Sequence, residues 1–134
     1  MTYLLDTNVC VLLLRQPNSQ LWERLSHLPQ NEVALCSVVE FELRHGAEKS
    51  QQPHRNHQLV TKLFTRFKSL PFDDQAASIA GSLKAQLARV GLMIGPYDLL
   101  IAGIALANKW VFVTHNVGEF SRVPGLKIED WQST

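Results

Sequence analysis

Residues 2–14 have the sequence TYLLDTNVCVLLL, in which a short apolar segment ends at an acid and an apolar, helix-like segment follows. Residues 3–5 have the length and composition of a buried strand, and residues 9–14 continue as a helix. Residues 32–36 and the segment that opens at Ser37 repeat this order. Strands that alternate with helices are typical of a mostly parallel sheet with helices on both faces. The sequence therefore predicts an α/β fold whose reactive groups gather at the carboxyl ends of the strands.

Further segments extend this alternation. Ser37, with Glu40 three residues later, matches a capping box, which predicts a helix over 37–49 with Ser37 as its N-cap. Residues 48–57 are polar and contain Pro53, so we predict a loop there between two helices. The remaining predicted helices cover 20–28, 56–68, 73–90 and 95–109, and the remaining predicted strands cover 70–72 and 111–114.

The composition excludes several classes of protein. The length of 134 residues predicts one domain over 1–134, and 13 Lys and Arg against 12 Asp and Glu give a net charge of +1. That balance excludes a protein held to nucleic acid by bulk positive charge, and 46% hydrophobic residues exclude wholesale disorder. The longest apolar run, residues 99–107, is too short to span a bilayer. Cys10 and Cys36 are expected to be reduced core thiols, and we expect a cytoplasmic protein without membrane contact.

Three acids occupy positions that are unusual for solvated side chains. Asp6 ends the first predicted strand, Glu42 falls within the apolar arc between Val38 and Gly46, and Asp98 begins a helix with no polar side chain over residues 99–107. Each also has a structural explanation, namely a helix cap, a solvated helix face and a favourable helix dipole. Their common placement at one end of one sheet favours a functional site.

Three acids at one place would need neutralisation. At separations of about 6 Å and an effective dielectric constant of about 20, each pair repels by about 3 kcal/mol. Three such pairs rival the total stability of a domain, so we expect an acid with a raised pKa or a bound divalent cation. Oxygen ligands without clustered His or Cys favour Mg²⁺ or Mn²⁺ over zinc, and such a site performs phosphate chemistry. The sequence has no Gly-rich Walker loop, which argues against nucleoside triphosphate hydrolysis.

Short motifs along most of the chain occur in a characteristic order. They are Leu-Leu-Asp-Thr-Asn at 4–8, Ser37 with Glu-Leu-Arg-His-Gly at 42–46, Ile-Gly-Pro-Tyr-Asp-Leu-Leu-Ile-Ala at 94–102, Val-Thr-His-Asn at 113–116 with Glu-Phe at 119–120, Val-Pro-Gly-Leu at 123–126 and Glu-Asp-Trp at 129–131. In this order and spacing the chain resembles the VapC toxins of bacterial type II toxin-antitoxin systems, which are PIN-domain ribonucleases.

The resemblance implies a three-layer α/β/α sandwich around a mostly parallel sheet and Mg²⁺- or Mn²⁺-dependent cleavage of RNA. It also implies a homodimer and inhibition by a cognate VapB-type antitoxin, through which a larger assembly could form on operator DNA. Relatives cleave tRNA or ribosomal RNA, so tRNA is the expected substrate and inhibition of translation the expected result. In the family's pattern Asp6, Glu42 and Asp98 match the metal-binding acids, and Glu119 matches a fourth catalytic acid.

Four polar residues match family positions that orient the acids, and these are Asn8, Ser37, Thr114 and Asn116. Asn116 stands where many relatives have Asp, so Glu119, the Asn116 amide oxygen and water are alternatives for the fourth metal ligand. Leu92 stands where relatives often have Arg.

Arg44, Lys84 and Arg89 are candidates for contact with RNA phosphates, although solvated helix faces would explain all three. Two other functions compete with the ribonuclease. One is a noncatalytic PIN-like module that binds RNA or protein. The other is a phosphatase of another α/β class, which would need an acid where this chain has Asn8.

Overall fold

A computed structural model describes residues 1–132, in which five parallel strands form one sheet. The strands are β1 Tyr3–Leu5, β2 Val33–Cys36, β3 Lys68–Leu70, β4 Val111–Val113 and β5 Ile128–Glu129. The helices are α1 Thr7–Arg15, α2 Gln20–Ser26, α3 Ser37–Lys49, α4 Pro53–Arg66, α5 Asp74–Arg89, α6 Pro96–Asn108 and α7 Val117–Phe120. The strand order is β3-β2-β1-β4-β5, and the predicted α/β sandwich with a parallel sheet is confirmed.

The central strand determines where the polar residues meet. Tyr3 of β1 pairs with Val33 of β2 on one side and with Val111 of β4 on the other. Because all the strands are parallel, their carboxyl ends lie at one edge of the sheet. Asp6 and Thr114, which directly follow β1 and β4, are therefore neighbours at that edge.

Helix α6 is buried, as its apolar sequence predicts. Ile101, Ala102, Ile104 and Ala105 have no solvent exposure. At Gly103 a Cβ atom would lie 2.9 Å from the Ala76 carbonyl oxygen of α5, so this glycine permits the close packing of α5 on α6. This packing holds the first turn of α6, with Asp98, against the sheet edge.

Three local predictions were wrong. Cys36 is the N-cap of α3 and Ser37 is its first helical residue, so no capping box forms. The predicted loop over 48–57 shrinks to 50–52, because Pro53 occupies the first turn of α4, where its missing N–H costs nothing. Strand β3 lies two residues earlier than predicted and pairs through Lys68 with Ala34.

The sequence patterns did not predict the short elements α7 and β5. Helix α7 has four residues and β5 has two, which is too short for a periodic pattern. Cys10 and Cys36 are free and buried, as predicted. Within residues 1–132, no helix combines the length and hydropathy that a bilayer crossing requires.

Candidate active site

Asp6 is a buried carboxylate at the centre of the sheet edge. Only 3% of the residue is exposed. Its Oδ1 accepts a hydrogen bond from the Thr7 backbone N–H at 2.7 Å, and its Oδ2 accepts one from the Thr114 hydroxyl at 2.7 Å. Burial raises the pKa of Asp6 despite these two bonds, and the charges of Glu42 and Glu119 raise it further. The two hydrogen bonds therefore fix the orientation of the carboxylate, while burial and the neighbouring acids disfavour its charged form.

Thr7 connects two of the acids, a role that the sequence analysis missed. Besides its N–H bond to Asp6, Thr7 donates its hydroxyl to Glu42 Oε1 at 2.7 Å. The apolar arc of α3 places Glu42 half-buried beside this hydroxyl. Asn8, which was expected to orient the acids, is exposed on α1, and none of the hydrogen bonds described within residues 1–132 joins it to them. In the Asp-Thr-Asn motif, Thr7 and not Asn8 makes the hydrogen bonds that orient the acids.

Asp98 and Glu119 form a carboxyl pair near Asp6. The pKa of Asp98 is raised to about 7, first by burial, then by the charges of Asp6 and Glu119 and a hydrogen bond with Glu119. The pKa of Glu119 is lowered, chiefly because Glu119 Oε1 accepts the Gly95 backbone N–H at 2.7 Å. The opposite shifts indicate that the two carboxyl groups share one proton just below neutral pH, in a hydrogen bond between Asp98 and Glu119.

A chain of hydrogen bonds orients Glu119 from the end of β4. The Thr114 hydroxyl, which donates to Asp6, accepts the Asn116 backbone N–H at 3.0 Å. The Asn116 side-chain amide donates to Glu119 Oε2 at 2.9 Å. With its amide nitrogen committed in this way, Asn116 supports Glu119 as the fourth acid. The Gly95 N–H is a second contributor that the sequence analysis missed, because a backbone donor has no signature in residue type.

Two predicted site residues have other partners. The Ser37 hydroxyl accepts the Phe72 backbone N–H at 3.1 Å, so Ser37 connects α3 to the segment after β3 instead of orienting an acid. The Arg44 guanidinium donates to Glu40, to the His57 carbonyl oxygen at 2.9 Å and to the Thr61 hydroxyl. These donors connect α3 to α4, and contact between Arg44 and RNA phosphate stays a prediction.

The other two basic candidates lie on α5. Lys84 is exposed and lines a cavity of about 740 Å³ between α5 and α6, together with Ala80 and Tyr97. Arg89 is the exposed last residue of α5. Their contact with RNA stays a prediction.

The donor set suits a hard divalent cation. The four acids supply only carboxylate oxygens, and burial together with the charges of Asp6 and Glu119 raises the pKa of Asp98. Within residues 1–132, no three Asp, Glu, His or Cys side chains are arranged as a ready-made metal site. Mg²⁺ commonly takes only one or two carboxylates from a protein and completes its shell with water and substrate phosphate. The residues therefore fit a cation that is bound with help from the substrate.

The chain is similar to known proteins over most of its length. The family model described as "PIN domain" matches residues 3–126. The "tRNA(fMet)-specific endonuclease VapC" of Salmonella typhimurium is 41% identical over 96% of this chain and 97% of its own length. "Ribonuclease VapC2" of Rickettsia felis is 35% identical over 98% of each chain.

Two solved structures are similar along nearly the whole chain. One is titled "Crystal structure of DNA bound VapBC from Salmonella typhimurium", with a TM-score of 0.93 at 40% identity over 98% of each chain. The other shows VapBC2 from Rickettsia felis bound to a promoter DNA fragment, with a TM-score of 0.92 at 34% identity over 98% of this chain and 99% of that one.

Proposed function

The chain belongs to the PIN-domain family, and from that membership we propose that it is a metal-dependent endoribonuclease of the VapC type, the toxin of a toxin-antitoxin pair. The observation that carries the proposal is the acid cluster of Asp6, Glu42, Asp98 and Glu119. Burial and, after it, the charges of the neighbouring acids raise the pKa of Asp98 to about 7, as expected of a site that accommodates a positive charge.

The proposed substrate is initiator tRNA. The Salmonella typhimurium relative is named for cleavage of tRNA(fMet), and the similarity to it covers 96% of this chain. Loss of initiator tRNA would inhibit translation. Since that substrate is cytoplasmic, we place the protein in the cytoplasm as part of the same proposal.

VapC nucleases of the PIN family are generally metal-dependent, and Mg²⁺ is the ion we propose, with Mn²⁺ as a substitute. Asp6, Glu42 and Asp98 would hold it. A bound divalent cation polarises a phosphoryl oxygen, lowers the pKa of a water molecule and stabilises the leaving oxygen. Glu119 would add a fourth negative charge near the proposed metal site.

The remaining residues keep the acids in position. Thr7 holds Asp6 through its N–H and Glu42 through its hydroxyl. Thr114 fixes the second oxygen of Asp6, and Asn116 fixes Glu119. Because these donors are in place before substrate arrives, the acids need little reorganisation during the reaction.

The proposed reaction is hydrolysis of a phosphodiester. The oxygen of a water molecule bonds to phosphorus, the bond from phosphorus to the 3′ oxygen breaks, and that oxygen leaves with a proton. The products are a 5′-phosphate and a 3′-hydroxyl.

Two partners are part of the proposal. The first is a VapB-type antitoxin, through which the toxin would reach operator DNA, because both solved relatives are VapBC complexes bound to DNA. The second is another copy of the same chain. Val90 and Met93, on the connection between α5 and α6, are 68% and 80% exposed and favour an interface there. We propose that residues 1–134 act as one domain.

Sequencing of RNA 5′ ends after brief induction tests this function. The wild type should create one dominant new 5′-phosphate end, in initiator tRNA, and co-expression of a cognate VapB-type antitoxin should suppress it. Asp6→Asn should create none. Equal new ends with Asp6→Asn would refute the role of the acid cluster. No new ends with the wild type would refute the ribonuclease and favour a noncatalytic module.

A further inference from the structure

Two exposed aromatic side chains lie beside the acid cluster and are not used by it. Phe41 is 51% exposed and Tyr97 is 45% exposed. Their ring centroids are 5.2 Å apart at an interplanar angle of 59°. Phe41 directly precedes Glu42 on α3, and Tyr97 directly precedes Asp98 in the first turn of α6. We call Phe41 and Tyr97 the aromatic pair.

The exposure of the aromatic pair is unusual within this molecule. Phe112 and Phe120 are completely buried. Trp22 and Trp110 are each covered by a cation, from Arg66 at 5.0 Å and from Lys68 at 4.6 Å. Among the cation–ring contacts described for residues 1–132, none covers Phe41 or Tyr97. About half of each residue of the aromatic pair is therefore exposed to water, which forgoes part of the free energy that burial of the rings would provide.

We propose that the aromatic pair binds an unpaired nucleobase of the RNA, in a nucleotide adjacent to the scissile phosphate; this inference rests on the proposed ribonuclease function. Each ring belongs to the residue next to a proposed metal-binding acid, so its Cα atom lies about 3.8 Å from that of the acid. A base stacked on the pair is therefore expected in a nucleotide near the reacting centre. Proteins that recognise single-stranded RNA splay out bases and stack them on exposed aromatic side chains.

The charge distribution favours stacking at this position. The acid cluster repels phosphate until a cation is bound, and Arg44, the basic residue of α3 nearest in sequence to Glu42, is committed to α4. Stacking on a ring needs no positive charge and is therefore not opposed by the acids. It offers a way to hold RNA at an acidic site on a chain with a net charge of only +1.

A protein contact explains the aromatic pair less completely. Tyr97 also lines the cavity between α5 and α6, where a second subunit could pack. Phe41 is not among the residues that line that cavity. A partner seated there would account for Tyr97 alone, whereas a base beside Glu42 and Asp98 accounts for both rings.

The proposal predicts a requirement for an unpaired base with little preference for its identity, because every base presents a π-face. It therefore restricts cleavage to loops and single-stranded segments. Recognition of one RNA among many must come from contacts elsewhere.

The test uses full-length protein and an RNA hairpin that carries the cut mapped with the wild type. Phe41→Ala and Tyr97→Ala should each raise KM by about 5- to 150-fold, with a smaller change in kcat. The conservative variants Phe41→Tyr and Tyr97→Phe keep the rings and should raise KM much less than the Ala variants do. Circular dichroism and sedimentation establish folding and subunit state for each variant.

A substrate with one abasic nucleotide makes the test specific. Removal of the base on the correct side of the cut should raise the wild-type KM as much as Phe41→Ala does and should have no further effect on Phe41→Ala. Additive losses, an unchanged KM, or a loss that follows dissociation into monomers would overturn the stacking proposal and, in the last case, assign the rings to a subunit interface. If the wild type does not cleave RNA, both proposals fail; if it cleaves and the rings do not matter, only this one fails.

Discussion

Replacement of Asp98 by Asn should stabilise the protein, and increasingly so as the pH rises. In the folded state the pKa of Asp98 is raised from 3.8 to about 7, so the folded protein binds more protons than the unfolded chain between these values. Stability falls with pH wherever the folded state binds more protons. Each pH unit in this range therefore costs the wild type about 1.4 kcal/mol, with an upper limit of about 4 kcal/mol at pH 8. The lowered pKa of Glu119, part of which comes from its bond with Asp98, offsets some of this loss.

Urea unfolding in EDTA, followed by Trp fluorescence from pH 5 to pH 8, measures the effect. Asp98→Asn should exceed the wild type by about 1 kcal/mol at pH 5 and by about 2 to 4 kcal/mol at pH 8. Asp74→Asn is the matched control, because Asp74 is an exposed acid in the first turn of α5, and its effect should stay below about 1 kcal/mol at every pH. Parallel curves for the wild type and Asp98→Asn, or a less stable Asp98→Asn at pH 8, would refute the electrostatic reasoning.

Three further predictions concern the site and the packing that supports it. Thr7→Val should lower kcat for RNA cleavage by about tenfold or more, because Glu42 loses its hydroxyl donor. Thr7→Ser should stay within about threefold of the wild type in the same assay. Equal rates for Thr7→Val and the wild type would show that Thr7 does not position Glu42. Mg²⁺ at ten times its Kd should raise the unfolding free energy of the wild type at pH 8 by about 1.4 kcal/mol, as measured by urea titration, and that of Asp98→Asn by much less. Equal responses of the two proteins would show that Asp98 does not bind Mg²⁺. Gly103→Ala should destabilise the protein by about 1 to 3 kcal/mol in thermal unfolding, because its Cβ would meet Ala76, and a neutral result would mean that α5 and α6 can separate easily.

The sequence predicted the strands and helices that carry a strong periodic or apolar signal. β1, β2 and β4 lie within a residue or so of their predicted positions, and α6 is buried as its apolar sequence implies. The errors have local physical causes. Pro53 predicts a loop by its residue type, but proline is also compatible with the first turn of a helix, where the structure places it. Strand β5 is too short to show an alternation of apolar and polar residues.

Residue type located the four acids but not the donors that hold them. Asp6, Glu42 and Asp98 were conspicuous because each stood in an apolar context. Thr7 and Gly95 act through a hydroxyl and a backbone N–H whose targets lie 35 and 24 residues away along the chain. Such contacts depend on strand register and helix packing, which the local sequence does not specify. Arg44 shows that residue type alone does not identify a partner. A guanidinium close to Glu42 in sequence is suited both to a phosphate and to the contacts with α4 that Arg44 makes.

The central claim is that the acid cluster hydrolyses RNA with a divalent cation. The most direct measurement is cleavage of purified initiator tRNA by the wild type and by Asp6→Asn, in Mg²⁺ and in excess EDTA, with the new 5′ end analysed chemically. We predict a single dominant cut with a 5′-phosphate for the wild type in Mg²⁺, no cut in EDTA, and no cut by a folded Asp6→Asn. Cleavage by Asp6→Asn at the wild-type rate, or wild-type cleavage that persists in EDTA, would contradict the claim.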